Sequence, residues 1–340
     1  MVAMAAAPDF LVTVIENPLS DILGQEEAKA ALKSALLVRH HVIIVGPPGI
    51  GKTTLAKNVA RLLPEETVMD CGFNCLPGQP KCPLCKAGKS KGKRKVAGAA
   101  RFVRVQGSPD LTAEDLIGDI DPLKALQFGP LSPEAFTPGK IFRANSGILF
   151  FDEVNRCGEK LQNALLQALE ERKVTIGSYD VDFDADFIFI GTMNPEDAST
   201  ERLSDVFLDR FDLIAMGYPE SLAVEETIVD DKALAFKGIE FPRTLKHGLL
   251  SFIRQLREDK NVEKKPSVRA SIGVVERSQA MARIRGAKRV TLEDVQAVLI
   301  SVLSHRISLK PSVKYLENVE EYVWDRFAAY AADHSLGGEG

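Results

Sequence analysis

Val42-Ile43-Ile44-Val45-Gly46-Pro47-Pro48-Gly49-Ile50-Gly51-Lys52-Thr53-Thr54 is the stretch whose reading decides the fold. Four apolar residues read as a buried strand, a glycine-rich turn follows, and a helical pattern resumes at Lys52. Gly46, Gly49 and Gly51 let the backbone turn tightly, so that N–H groups can converge on phosphate oxygens. The helix starting near Lys52 adds the positive end of its dipole. Lys52 places a cation on the terminal phosphates, and the Thr53 hydroxyl is the expected Mg²⁺ ligand. A chance Gly/Pro-rich turn would not carry the whole G-x-x-x-x-G-K-T pattern between a strand and a helix. Residues 46–54 are the expected cradle for a nucleotide.

Outward from this loop, Leu19–Val38 reads as a turn and then a helix, with alanines and leucines at helical spacing from Glu26. Pro64 stops the helix that follows the loop. Phe102–Val105 is a second strand. The segment 118–141, rich in glycine and proline, reads as a protruding hairpin. Ile148-Leu149-Phe150-Phe151 is a buried strand that ends in Asp152-Glu153. At the carboxyl end of a strand beside the phosphate loop, Asp152 can bind Mg²⁺ and Glu153 can deprotonate a water. Glu159–Arg172 is an amphipathic helix. Lys173–Phe183 reads as a hairpin with its turn at Gly177-Ser178. Phe187–Ile190 is another buried strand, and Asn194 beyond it is placed to hold a water near the terminal phosphate, or simply to form a turn before Pro195. Arg210, before the last strand Leu213–Met216, is either a local partner of Asp209 or Asp212 or a cation offered to a neighbouring chain's nucleotide.

Cys71, Cys75, Cys82 and Cys85 fall within fifteen residues, among Pro77, Gly78, Pro80 and Pro83. Those prolines and glycines disfavour regular structure and favour a knuckle. Clustered cysteine pairs in a reduced compartment read as metal ligands, most simply a closed Zn²⁺ site. An iron–sulfur cluster, disulfides or free thiols are the alternatives. Between Lys86 and Lys95, six of ten residues are basic. With no interleaved aromatic residue, this run reads as a solvated flexible loop rather than a grip on phosphate backbone.

The 340-residue length suits about two domains. A net charge of −4 gives no whole-protein preference for nucleic acid or anionic lipid. No apolar run approaches the ~20 residues of a membrane span. A soluble, cytoplasmic protein with reduced thiols is expected. Residues 1–18 read as a flexible end and 19–218 as an α/β core carrying an insertion at 70–98. Residues 219–335 read as a purely helical unit, with helices near 222–236, 243–258, 267–285, 291–306 and 315–331. Arg269 opens the third of these, where a cation opposes the helix dipole unless an anion lies nearby.

The ordered set Lys52, Asp152-Glu153, Asn194, Arg210 and Arg269 resembles the AAA+ ATPases, as Walker A, Walker B, sensor 1, arginine finger and sensor 2. The resemblance covers about residues 19–306. It implies a five-stranded parallel sheet with helices on both faces and a smaller helical lid. It also implies that Ile22, Leu23 and Gly24 lie against the adenine of ATP. The excursion at 118–141 and the Gly191-Thr192-Met193-Asn194-Pro195 run resemble the helix-2-insert branch, which holds magnesium-chelatase motor subunits, MoxR ATPases and MCM helicases. Arg104–Leu111 looks like MoxR, and Gly118–Asp121 with Cys71–Cys75 looks like chelatase motors. The resemblance implies Mg²⁺-dependent ATP hydrolysis by a ring, a homo-hexamer. It further implies a client such as a von Willebrand A-domain partner or a metal-insertion complex. A nucleic-acid-stimulated motor of the MCM kind is the second reading.

Overall fold

The computed structural model describes residues 8–90, 92–175, 182–195 and 203–336. Five apolar runs form one parallel sheet in the spatial order Phe211–Ala215, His41–Val45, Ile188–Met193, Ile148–Asp152, Phe102–Gln106. Val42–Ile44 and Ile148–Phe151 are fully buried, as parallel strands covered on both faces must be. The register places the carboxyl ends together. Val45 pairs with Met193, Gly191 with Phe151, and Asp152 with Gln106. Every loop that leaves this edge can reach a common ligand.

The chain divides into two compact units. The first comprises Met1–Ile22, Glu26–Gly46 and Gly51–Met216; the second comprises Leu23–Gln25, Pro47–Ile50 and Gly217–Gly340. In the first, helices Glu26–Leu37, Lys52–Leu62 and Glu159–Glu170 accompany the sheet. Two short hairpins project from it, Gly118–Ile120 with Phe136–Pro138 and Lys173–Thr175 with Asp182–Asp184. The turn expected at Gly177-Ser178 lies outside the described residues; the described part of the second arm is Asp182–Asp184.

Three further differences have local causes. Pro8–Glu16 is a helix with Phe10 and Val14 buried, where a flexible end is expected; burial of one face outweighs the weak helix propensity of its β-branched residues. Lys93–Val96, expected to be a flexible loop, is a strand paired with Glu66–Met69. The cysteine segment contains one helical turn, Pro83–Lys86, capped by the Cys82 sulfur.

The second unit is built on helices Leu222–Lys232, Arg243–Glu258, Val268–Ile284, Leu292–Leu303 and Val319–Asp333. It is not purely helical, because Val262–Lys264 pairs with Ser308–Leu309. Leu249, Ile253, Val274, Val298, Leu299 and Phe327 fill its interior. Glu225 is fully buried there and receives both terminal nitrogens of Arg257, at 2.6 and 2.7 Å, and the Ser271 hydroxyl at 2.6 Å. Burial pushes the Glu225 carboxyl up, but Arg257 outweighs it and holds the group below the usual range.

Candidate active site and cysteine cluster

Gly46 leaves the strand with its N–H donated to the Met193 carbonyl at 3.1 Å. Gly49 and Gly51 take positive φ of 75° and 100°, a conformation that β-carbons resist. Gly51 is the N-cap of helix Lys52–Leu62 and brings no capping side chain, which leaves the first-turn N–H groups to an anion. Lys52 folds back, its Nζ donating to the Gly46 carbonyl at 2.6 Å. Thr53 and Thr54 follow in the first helical turn. Ile22 is buried, and a β-carbon at Gly51 would come within 2.9 Å of its Cδ1.

At the neighbouring strand ends, the two acids are tied by one hydroxyl. Thr192 Oγ1 donates to Asp152 Oδ1 at 2.7 Å and accepts the Glu153 N–H at 2.9 Å. Glu153 has φ 57° and ψ 54°. This left-handed conformation is rare for a residue with a side chain and concentrates at functional sites. Asn155 Nδ2 donates to the Asn194 carbonyl at 3.2 Å. The structure therefore brings Asp152, Glu153 and Asn194 to one sheet edge beside the loop bearing Lys52.

Sequence reading missed the side chains that hold these acids. Arg104 donates to Asp152 Oδ2 at 2.6 Å, and Gln106 Nε2 donates to Glu153 Oε2 at 3.1 Å. Arg156 lies 3.1 Å from the same Glu153 oxygen. The backbone closes equally tightly. Gly107 N–H donates to the Asp152 carbonyl at 2.7 Å, and a β-carbon at Gly107 would fall 2.0 Å from the Glu153 carbonyl oxygen. Arg104 and Gln106 are two apart, so alternation puts them on one strand face. That was the available signal, but which strand adjoins theirs is a tertiary fact.

The remaining expected residues lie elsewhere. Arg210 bonds Glu170, a partner the sequence did not suggest, as well as the Val206 carbonyl at 3.0 Å and Asp209 at 3.5 Å. Asp212 pairs instead with His40. Leu23, Gly24 and the loop tip Pro47–Ile50 group with the second unit. There a β-carbon on Gly49 would meet Ser267 Oγ at 2.9 Å and Arg269 Cγ at 3.1 Å. The stem of Arg269 thus lies against the loop tip. Gly24 lies near Val224, and the Gln25 amide bonds the backbone of Gly217.

The sulfur atoms of Cys71, Cys75, Cys82 and Cys85 all lie within 4.8 Å of one another. A tetrahedral ion with ~2.3 Å bonds to sulfur needs sulfur separations near 3.8 Å, so a small contraction would close this site. Backbone N–H groups of Lys81 and Cys82 donate to the Cys75 sulfur at 3.2 and 3.3 Å, and that of Cys85 to Cys82 at 3.3 Å. Hydrogen bonds from Cys75 and Cys82 pull the Cys71 thiol down to about 2, while the proximity of Cys71 pushes Cys75 up to about 12 and raises Cys82. Four thiolates together need a positive ion, and the donor set fits Zn²⁺.

A glycine-rich loop between strand and helix, with paired acids at the end of another strand of the same parallel sheet, defines the P-loop nucleoside triphosphatases. Residues 76–213 match the family described as ATPase family associated with various cellular activities (AAA). Residues 18–71 match magnesium chelatase, subunit ChlI, and residues 254–321 the AAA lid domain. The magnesium-chelatase subunit ChlI homolog of Methanocaldococcus jannaschii is 29% identical over 327 residues, covering 86% of each chain. The chloroplastic ChlI subunit of Oryza sativa subsp. indica is 28% identical over 331 residues, covering 86% of this chain and 76% of that one. In fold, the crystal structure of NtrX from Brucella abortus in complex with ADP aligns with a TM-score of 0.54 at 15% identity, over 96% of this chain and 66% of that one. Together these matches support an ATP-hydrolysing AAA+ enzyme similar to proteins of the magnesium-chelatase and MoxR type. No helix among the described residues is long and apolar enough to cross a membrane.

Proposed function

We propose that this chain is a Mg²⁺-dependent ATPase that works as a hexameric ring in the cytoplasm and drives a partner protein. The observation that carries the chemistry is the convergence of Lys52, Asp152, Glu153 and Asn194 at one sheet edge, with Thr192 fixing both acids. Lys52 neutralises charge on the terminal phosphates. Glu153 takes a proton from a water as that water attacks the γ-phosphorus, and Asn194 orients it; ADP and phosphate leave. Thr53 and Asp152 would hold Mg²⁺, which supplies further charge neutralisation between the phosphates. Ile22, Leu23 and Gly24 would contact the base, and Arg269 would read the nucleotide from the helical unit.

The ring rests on Arg210. In a ring this arginine would exchange Glu170 for a neighbour's nucleotide, where a cation stabilises transition-state charge. The relatives' names support a partner, since each is called a subunit of magnesium chelatase. A von Willebrand A-domain protein or a metal-insertion complex is the class of client. The basic run supports a protein client over nucleic acid, because Lys86, Lys89 and Lys95 are already paired with Asp184, Glu134 and Glu65. The four cysteines would hold a structural Zn²⁺, and metal analysis with a visible spectrum distinguishes it from an iron–sulfur cluster.

The test is ATP turnover per chain against protein concentration, for wild type, Glu153→Gln and Arg210→Ala, with single-stranded DNA as an added condition. Turnover should rise steeply with concentration and vanish in both variants, while Glu153→Gln still binds ATP. Flat turnover unaffected by Arg210→Ala would end the ring reading. Stimulation by DNA would replace the protein client with a nucleic acid.

A further inference from the structure

We propose that the cysteine knuckle is a zinc-locked clamp that makes the two core hairpins move as one body and ties both to the strand carrying Thr192. The inference rests on the zinc reading given above, and adds a role for the ion in coupling.

The knuckle touches both hairpins, at the place where their Phe136 and Phe183 rings meet each other at 5.3 Å. Phe73, held between Cys71 and Cys75, stacks on Phe183 of one hairpin at a centroid distance of 5.8 Å and meets Phe136 of the other at 6.2 Å. It also meets Phe142 at 5.2 Å. Gly72 adopts φ +78° and comes so close to the 118–138 hairpin that a β-carbon there would lie 3.0 Å from Pro138. Charges repeat the pattern. Lys86 pairs with Asp184 at 2.8 Å, on the 173–184 hairpin, and Lys89 with Glu134 at 2.6 Å, on the other excursion. Asn145 joins the two sides, its Nδ2 donating to the Phe73 carbonyl at 3.1 Å and to the Asp184 carbonyl at 3.2 Å.

A third set of contacts leads toward the catalytic edge. Lys81, inside the knuckle, is buried and bonds Asp186 at 2.9 Å and Ser146 at 3.2 Å. Asp186 precedes by two residues the strand Ile188–Met193, which holds Thr192 and leads into Asn194. Movement of the hairpin bases therefore reaches the residues that hold Asp152 and Glu153.

The ion adds to these contacts because the knuckle has little regular backbone pairing of its own. Between Cys71 and Cys85 the only repetitive structure is the turn begun at Pro83 and an isolated bridge from Leu76 to Gln79. Ordering an irregular segment costs backbone entropy, and a closed tetrathiolate site offsets that cost directly. With the ion bound, Phe73, Lys81 and Lys86 are held at fixed separations. Without it, the aromatic and ionic contacts to the two hairpins are no longer made from one rigid piece.

The experiment uses the full chain and hydrogen exchange read by mass spectrometry. Protein is compared as purified, after removal of thiolate-bound metal by a zinc-selective chelator in excess Mg²⁺, and after Zn²⁺ is restored. Exchange at Gly118–Ile120 and Asp182–Asp184 should quicken about tenfold together, return with Zn²⁺, and leave Val42–Val45 unchanged. Phe73→Leu, which keeps all four cysteines, should quicken both hairpins while one zinc per chain is retained. A purified chain holding no zinc and binding none would overturn the metal reading beneath the proposal. Zinc that leaves with no change in exchange, with change in one hairpin alone, or with change throughout the sheet would overturn the coupling alone. ATP binding to Glu153→Gln, measured separately, keeps the catalytic reading distinct from either result.

Discussion

Gly107→Ala tests whether the edge strand Phe102–Gln106 positions the catalytic turn. A β-carbon at Gly107 would sit 2.0 Å from the Glu153 carbonyl oxygen, 2.8 Å from its carbon and 3.0 Å from the Asp152 carbonyl oxygen. A carbon–oxygen contact of about 3.3 Å is the nearest comfortable approach, so the two backbones must part by about 1.3 Å. All three atoms are backbone, so no side chain can swing aside to make room. The Gly107–Asp152 hydrogen bond at 2.7 Å and the Gln106–Glu153 bond at 3.1 Å both lie across that gap. A displacement of about 1 Å at a reacting group costs on the order of a hundredfold in rate, or about 2.7 kcal/mol. Lys52 follows a strand two places further across the sheet than Asp152, so ATP affinity should change by no more than about threefold. The assay is single-turnover hydrolysis at saturating Mg·ATP, with a fluorescent-nucleotide titration beside it. Gly217→Ala is the control, because a β-carbon there meets nothing within 4 Å. A Gly107→Ala rate within threefold of wild type would refute the claim that this edge positions Glu153.

Arg104→Ala removes the cation 2.6 Å from Asp152; at such an exposed pair the contribution is about 0–1 kcal/mol. Mn²⁺ affinity, followed by electron paramagnetic resonance with nucleotide present, should tighten by up to about fivefold, and unchanged or weaker binding would show that Arg104 does not compete with the ion. Glu225→Gln leaves Arg257 buried with an unbalanced charge, so the helical unit should lose about 3–5 kcal/mol in a denaturant titration; a loss under 1 kcal/mol would contradict that account. His41 accepts the Phe189 N–H at 3.0 Å, and burial lowers its pKa from 6.5 to about 4. Above pH 6.5 the group costs nothing. As pH falls from 6.5 toward 4 the unfolded chain takes the proton first, and stability should fall by up to about 3 kcal/mol. His41→Asn should flatten that slope, and an unaltered slope would assign it to other groups.

Glu153→Gln, by contrast, was a prediction open to the sequence alone. Local pattern carried the phosphate loop and the strand ending in Asp152-Glu153, because both are contiguous and their chemistry depends on residues a few positions apart. The helices of the second unit were legible for the same reason, since each buries a stripe written in its own periodicity. The fate of the side chains around those motifs was not. Arg104 and Gln106 read as the polar face of a strand until its neighbour proved to be the one bearing the acids. Arg210 offered Asp209 and Asp212 as partners; it keeps Asp209 and adds Glu170 forty residues away. Pro8–Glu16 and Lys93–Val96 looked loose because neither carries its own reason for order; a buried face and a paired strand supply it. The cysteine spacing indicated four ligands for one ion, while the clamp between two hairpins depends on Phe73 meeting Phe136 and Phe183. Motif chemistry is short-range and survives in one dimension. Strand order, register and the packing of distant side chains are settled only when burial brings the segments together, and no residue records which distant segment it will face.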